Sequence, residues 1–421
     1  MVDSRTEITS DLIKSMLNEY LESKLETAKF EMKIDAGSAE GENFIGVIYR
    51  ITYWPKCQPN LKSQLIVKVS PQNLARREQF FSRASFLREQ FSYGMILPAF
   101  REFEESKGIT AKEDGFHEYP ECYKLLNEEP IECLFLEDLK VSGFQMVNHR
   151  SEAITFEHVK LVMKTLGKFH AISLAMKEQQ PGKFNSLTTP MTDILIREND
   201  EKMQEFLNFW PAAIIAAITD PADVHIKRKI EILYERKQMQ IAAECVNGKT
   251  AEPYTVICHG DVWTNNTMFK LDDDGKPIDV RFLDYQLTRY SSPVCDVVYY
   301  LYCCTNKELR DGHYDTFLRT YHESLSTHLA KLDSDPEKLF SYNILLEHLH
   351  RYGKFGLVMA SIFLPLMTGE EGSNPNMEEL AHDMQGGKKL EADLFVPNEF
   401  KTILNKKLRD VAADMVKYDY I

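Results

Sequence analysis

Within a long stretch of helix-like sequence, residues 254–285 read as strand, loop and hairpin. Residues 254–257 are an apolar β-type run leading into Cys258-His259-Gly260-Asp261-Val262-Trp263-Thr264-Asn265-Asn266. A second run, 267–271, ends in Asp272-Asp273-Asp274-Gly275, where Asp-Gly marks a tight turn between antiparallel strands. A third, Val280-Arg281-Phe282-Leu283, stops at Asp284. A hairpin returns to the edge it left, so this order predicts Asp261, Asn266 and Asp284 on one edge of a small sheet. Two carboxylates and an amide oxygen converging there suit a hard cation such as Mg²⁺. An aspartate after a strand, with an asparagine five residues on, is also the pattern of phosphoryl-transfer loops. There the aspartate takes a hydroxyl proton and the asparagine holds the metal. Either aspartate alone reads equally well as a turn residue or a cap; the ordered set of three is what favours a site. His259 reads first as a hydrogen-bonded histidine holding the loop, and second as a base or metal ligand.

The first third of the chain has a different character. Residues 8–30 carry Leu12, Met16 and Tyr20 at helical intervals behind Thr9 and Ser10. Residues 44–54 and Leu65-Ile66-Val67-Lys68-Val69 read as strands joined by a turn at 55–60. A helix is expected after Pro71, with Phe80, Ala84, Leu87 and Phe91 on one face and its end before Pro98. Strands are expected at 119–127 and 131–136. Lys68, flanked by valines, is either a solvated edge residue or a charge in use. In phosphoryl transfer such a lysine neutralises the donor's α- and β-phosphates and is fixed by a carboxylate on the following helix. Glu89 is the first candidate and Glu78 the second. Gly37 and Gly41, in Gly37-Ser38-Ala39-Glu40-Gly41-Glu42-Asn43-Phe44, make neither a GxGxxG nor a Walker A motif, and alone mark a turn. After Asp138 helices dominate: 156–176, most of 192–246, and beyond Pro293 to a Lys-rich helix at 401–418. The fold class is α+β with two lobes, a small β-rich N-terminal lobe over residues 1–137 and a larger, mainly helical C-terminal lobe over 138–421. That is the outline of a protein-kinase-like fold.

Composition excludes several alternatives. Hydrophobic residues are 43% and charged residues 27% of the chain, as in folded globular proteins. A length of 421 residues exceeds what one small core serves, which agrees with two lobes. The 64 acidic residues against 50 basic ones give a charge of -14, which argues against nucleic acid and anionic membrane surfaces as partners. A local cationic pocket for one nucleotide remains compatible with it. No run reaches the ~20 apolar residues of a spanning helix; residues 355–367 come nearest and contain Pro365. The N-terminus has no signal-peptide core. Eight cysteines, without a CxxC pair or zinc spacing, read as reduced thiols of a cytoplasmic protein. Oligomeric state leaves no trace in the sequence.

The chain resembles the ecdysteroid kinase-like (CHK kinase-like) proteins of arthropods, within the choline kinase and aminoglycoside phosphotransferase superfamily. The matching pieces are Gly41-Glu42-Asn43-Phe44, Ile66-Val67-Lys68, Glu89 with Tyr93 and Leu97-Pro98, Leu136-Glu137-Asp138-Leu139 and Gly143-Phe144. They continue with Phe169-His170-Ala171, His259-Gly260-Asp261-Val262-Trp263 through Asn266, Asp284-Tyr285-Gln286, and Ser292-Pro293 with Asp296. Asp284-Tyr285-Gln286 stands where the family usually has Asp-Phe-Gln, which leaves the metal ligand in place. The resemblance implies ATP as donor, with Mg²⁺. By position it makes Lys68 and Glu89 the phosphate-anchoring pair, Asp261 the base, and Asn266 and Asp284 the Mg²⁺ ligands. It makes Gly41 and Asn43 part of the loop over the nucleotide, the backbone around Leu136, Glu137 and Asp138 the adenine hinge, and Asp296 the brace of the catalytic loop. It implies as acceptor a small-molecule alcohol, an ecdysteroid or a foreign secondary alcohol undergoing detoxification.

Other readings differ in what they require. A protein kinase needs an activation segment and Ala-Pro-Glu; here only a few residues separate Asp284 from Ser291-Ser292-Pro293 and the apolar run that follows. A choline or ethanolamine kinase needs aromatic and acidic residues around a cation, which this composition could supply. A non-catalytic pseudokinase has usually lost the lysine, the base or a metal ligand, whereas Lys68, Asp261, Asn266 and Asp284 are all present. Residues 206–219 and 355–367 are candidate acceptor walls, or else ordinary helical core.

Overall fold

A computed structural model describes residues 11–37, 46–110, 114–148, 153–197, 200–368, 382 and 398–421. The chain forms two compact units. One contains the residues up to Gly94 and Tyr119–Gln145; the other contains Met95–Glu118 and, among the described residues, 146–368 and 398–421.

The first unit is built on five antiparallel strands, β1 (Phe30–Ala36), β2 (Val47–Pro55), β3 (Ser63–Val69), β4 (Cys122–Leu126) and β5 (Cys133–Glu137), in the order β1-β2-β3-β5-β4. Side chains alternate across a sheet. Tyr49, Ile51, Tyr53, Leu65, Val67 and Phe135 therefore share one face, packed against Ile13, Leu17 and Leu21 of helix Asp11–Leu25. The opposite face carries the paired rows Ile48↔Lys68↔Leu134 and Arg50↔Ile66↔Leu136.

Four expectations are corrected here. The buried stripe of the first helix is Ile13, Leu17 and Leu21, one residue on from the expected Leu12, Met16 and Tyr20, and Leu12 is exposed. Strand β1 begins at Phe30, the last residue of the helix expected at 8–30, and runs on through 31–36, where no element was expected. The helical region after Pro71 does not stop before Pro98. It breaks at Phe81, whose φ is 50°, and resumes as helix Ser82–Phe91. It then continues through a π-helical turn, Ser92–Ile96, into helix Leu97–Ser106. Pro98 sits in the first turn of that last helix, where a missing N–H breaks no intrahelical bond. The inward face of Ser82–Phe91 is Ser85, Phe86 and Glu89 rather than the face with Leu87, because a buried carboxylate follows its charge partner and not the apolar period.

In the second unit helices Phe156–Gln179 and Lys307–Lys331 lie along one another. Gly167 makes that approach possible: a Cβ there would fall 2.5 Å from the Tyr321 carbonyl oxygen. Strand β6 (Phe144–Met146) is short and falls at the chain boundary between the units, and β7 (Val256–Cys258), fully buried, pairs with β10 (Arg289–Ser291). Strands β8 (Thr267–Leu271) and β9 (Pro277–Phe282) form the hairpin read from Asp-Gly. Helix Val294–Cys304 is buried along nearly its whole length and packs against helix Phe355–Met367. Among the described residues no helix is long and apolar enough to cross a membrane. This small antiparallel sheet followed by a mostly helical region is the kinase-like two-lobed α+β fold.

Candidate active site

The loop after β7 is fixed from behind. Gly260 has φ +84°, and a Cβ there would lie 2.0 Å from the Leu287 carbonyl oxygen, so glycine alone fits. Asp296, in the first turn of helix Val294–Cys304, accepts the backbone N–H groups of His259 at 2.7 Å and Gly260 at 2.9 Å. Burial alone would push Asp296 up; its hydrogen bonds from His170 and from the Gly260 N–H help hold it below the usual aspartate range. His170 Nε2 lies 3.2 Å from Asp296, and its other nitrogen lies 3.0 Å from the Tyr321 hydroxyl. The Ile257 N–H donates to Ser173 Oγ at 3.0 Å. Helix Phe156–Gln179 thus supports both the strand and the loop that leaves it.

His259 is a neutral linker in this arrangement. Its Nε2 is 2.9 Å from the Leu283 carbonyl oxygen, so it carries the proton, and Nδ1 accepts the Asp261 N–H at 3.3 Å. Burial is the main reason its pKa falls to about 4.

The Asp261 carboxylate is held at both oxygens by neutral donors. The Tyr299 hydroxyl donates to Oδ1 at 2.9 Å, and Asn266 Nδ2 donates to Oδ2 at 2.8 Å and to the Asp261 carbonyl at 2.9 Å. Burial first, then the nearby Asp284 carboxylate, pushes Asp261 up to about 7, against the opposing effects of Tyr299, Arg289 and Asn266. The Leu283 N–H donates to the Asn266 carbonyl at 2.9 Å, which ties the two ends of the hairpin. Asn266 and Asp284 therefore sit at one end of it. Asp284 adopts φ 67°, a left-handed conformation that aspartate tolerates better than most residues. With its amide nitrogen used on Asp261, Asn266 has its side-chain carbonyl left as a ligand atom. That oxygen and the Asp284 carboxylate are the hard donors Mg²⁺ takes.

Tyr299 was not foreseen. The signal was present, since it lies three residues beyond Asp296 and so on the same helix face. Trp263 and Tyr299 both pack on Phe363, with ring centroids 4.9 Å and 5.2 Å apart. Helix Phe355–Met367 thereby brings a half-buried aromatic ring beside the loop. In helix Glu201–Ala217, Leu207, Trp210 and Ile214 are buried core residues.

In the first unit Lys68 Nζ lies 2.6 Å from Glu89 Oε2, both side chains buried, with the Phe86 ring 5.7 Å from the ammonium. Glu89, not Glu78, is the carboxylate it meets. Leu136 is buried at the end of β5. The Glu137 N–H donates to the Glu121 carbonyl at 2.9 Å, and the Asp138 carbonyl accepts from Val141 at 3.0 Å. Two backbone groups of the expected adenine hinge are thus already in use. The Asp138 carboxylate accepts the Lys140 N–H at 3.1 Å and Arg50 Nε at 2.6 Å. Gly41 and Asn43 lie outside the described residues.

The sequence model of the ecdysteroid kinase-like family matches residues 40–334. The chain belongs to this family. The match takes in Lys68, Glu89, Asp261, Asn266, Asp284 and Asp296. Ecdysteroid kinase-like proteins are kinase-like phosphotransferases of small molecules, and kinase-like families generally use ATP and Mg²⁺. No curated protein matches the chain.

Proposed function

We propose that this ecdysteroid kinase-like protein transfers the γ-phosphoryl group of ATP to a hydroxyl of a largely apolar small molecule, such as an ecdysteroid or a foreign secondary alcohol. The observation that carries the reading is the Asp261 carboxylate, buried and oriented at both oxygens by Tyr299 and Asn266, at the end of a hairpin that also presents Asp284. Asp261 accepts the proton of the acceptor hydroxyl as that oxygen attacks phosphorus. A pKa near neutrality in the ligand-free chain suits a group that must take up and then release a proton. Asn266 and Asp284 would hold Mg²⁺, which would offset the charge of the donor phosphates. Lys68, fixed by Glu89, anchors the α- and β-phosphates. Phe363, half-buried and packed on the buried rings of Trp263 and Tyr299, offers an aromatic wall against which an apolar ring system can lie. The free state of all eight cysteines supports a reducing, cytoplasmic setting.

The test is phosphoryl transfer from γ-labelled ATP to a panel of steroid, terpenoid and phenolic alcohols, with choline and ethanolamine alongside. Transfer to apolar alcohols, lost in Asp284→Ala while the protein stays folded, is the expected result. The same aromatic wall could hold a quaternary ammonium group. Efficient transfer to choline with no apolar alcohol accepted would make that second reading the right one. Nucleotide binding without transfer to any acceptor would point to a pseudokinase.

A further inference from the structure

We propose that Arg50 reads the base of the donor nucleotide, and that it admits the 6-oxopurine triphosphates GTP and ITP alongside ATP. The inference rests on the reading of Lys68 as the phosphate anchor. Strand pairing sets Ile48 opposite Lys68 and Arg50 opposite Ile66, and continues the rows to Leu134 and Leu136 on β5. Opposed residues of antiparallel strands share a face, and the other face of this sheet is filled by the core under helix Asp11–Leu25. Arg50 therefore stands on the same face as Lys68, one strand over and two residues along. Spacings of ~4.8 Å between strands and ~3.4 Å per residue place their Cα atoms about 8 Å apart. A nucleoside whose phosphates rest at Lys68 has its ribose and base to lay over a comparable distance. Ile66 and Leu136 supply an apolar floor between the two cations, and Arg50 stands at its edge.

Arg50 is held for such a role. Its Nε donates to the buried Asp138 carboxylate at 2.6 Å, and the other Asp138 oxygen is taken by the Lys140 N–H. The guanidinium plane is thus fixed through one nitrogen, while its two terminal nitrogens meet no hydrogen-bond partner among the described residues. The side chain is 22% exposed. A guanidinium offers donors only. A fork of donors matches two adjacent acceptors, the N7 and O6 of guanine or hypoxanthine, whereas adenine presents N7 beside an amino group that is itself a donor. The Glu137 N–H and Asp138 carbonyl, which could have favoured the adenine edge, are already bonded within the chain.

Calorimetric titration of the full chain with MgATP, MgGTP and MgITP tests this. The wild type is expected to bind all three with dissociation constants within ~10-fold, since a bidentate arginine contact offsets what adenine gains elsewhere. Arg50→Leu is expected to weaken GTP and ITP by ~10-fold or more relative to its effect on ATP, the discrimination of one bidentate pair. Because Arg50→Leu leaves Asp138 buried and unpaired, Arg50→Leu/Asp138→Asn serves as the second variant, with the same ratio expected. Binding of ATP with GTP and ITP more than ~100-fold weaker in the wild type overturns the proposal, as does an equal loss for all three nucleotides in both variants. Binding of none of the three overturns the phosphate-anchor reading, and this inference with it.

Discussion

The two units bury charge in opposite ways. In the first, Lys68 and Glu89 form a pair of opposite sign that is complete without a ligand. In the second, Asp261 is buried beside Asp284, and among the described residues its carboxylate touches only neutral donors. A paired charge stabilises the fold once it is buried, and removing one member leaves the other stranded. A carboxylate held by neutral groups is a strain on the empty protein that a cation relieves. Neutralisation should therefore harm the first site and ease the second.

The largest contrast is expected from Asp261→Asn. Turnover should fall by ~10²–10⁴, the usual worth of a general base, while the melting temperature of the nucleotide-free protein at pH 7.5 holds or rises. A clear loss of thermal stability would break the comparison. Lys68→Met should do the reverse to the fold, costing about 3–5 kcal/mol because the buried Glu89 carboxylate loses the Lys68 ammonium. Lys68→Met/Glu89→Leu should regain most of that stability in denaturant titrations and none of the activity. If the double variant is as unstable as the single one, the pair is not what holds these strands and this helix together.

pH sharpens the contrast within the second unit. Asp261 has a folded pKa of about 7 against an ordinary value of 3.8, so the folded chain takes up a proton that the unfolded chain does not, and stability rises as pH falls from 7 toward 4. His259 has a folded value of about 4 against 6.5, so stability falls as pH drops from 6.5 toward 4. Each effect is about 3–4 kcal/mol and they oppose one another. Unfolding free energies without Mg²⁺ should show little net slope from these two groups in the wild type, a loss on acidification in Asp261→Asn, and a gain in His259→Gln. The smallest effect is expected from Tyr299→Phe, which leaves one oxygen of Asp261 without its donor at a cost of about 1–3 kcal/mol. Its kcat should drop by roughly tenfold with the ATP KM little changed, since the tyrosine orients the base and does not bind the donor.

What the sequence made legible was local. The hairpin 267–282 follows from Asp-Gly and flanking β-type runs, and the positions of Asn266 and Asp284 at its end follow from the hairpin. Strand β1 also had a period-two signal in Phe30, Met32 and Ile34, with Glu31, Lys33 and Asp35 between, but a helix drawn through residue 30 hid it. Other features needed tertiary context. Helix Asp11–Leu25 has two adjacent apolar stripes, and only the sheet decides which one is covered. Helix Ser82–Phe91 turns Glu89 inward because Lys68 is there, a choice that apolar periodicity cannot express. Tyr299 and Arg50 were passed over because a tyrosine in an apolar helix and an arginine in a strand look like core and surface until their partners are known.

Helix Val294–Cys304 carries both Asp296 and Tyr299 and is buried from Val294 to Cys303. Such a helix has no side chain free to drift without disturbing the loop it holds. Helix Phe355–Met367, packed beside it, offers the half-buried Phe363 to the same aromatic cluster. Inheritance is thus split between neighbours. One helix is constrained because its buried length carries the two side chains that hold the loop and the base, and the other can exchange a ring for a smaller or more polar group and leave the base where it is. Duplicated genes built on this plan would diversify in what they accept by varying the second helix, and would betray loss of catalysis first in the one beside it.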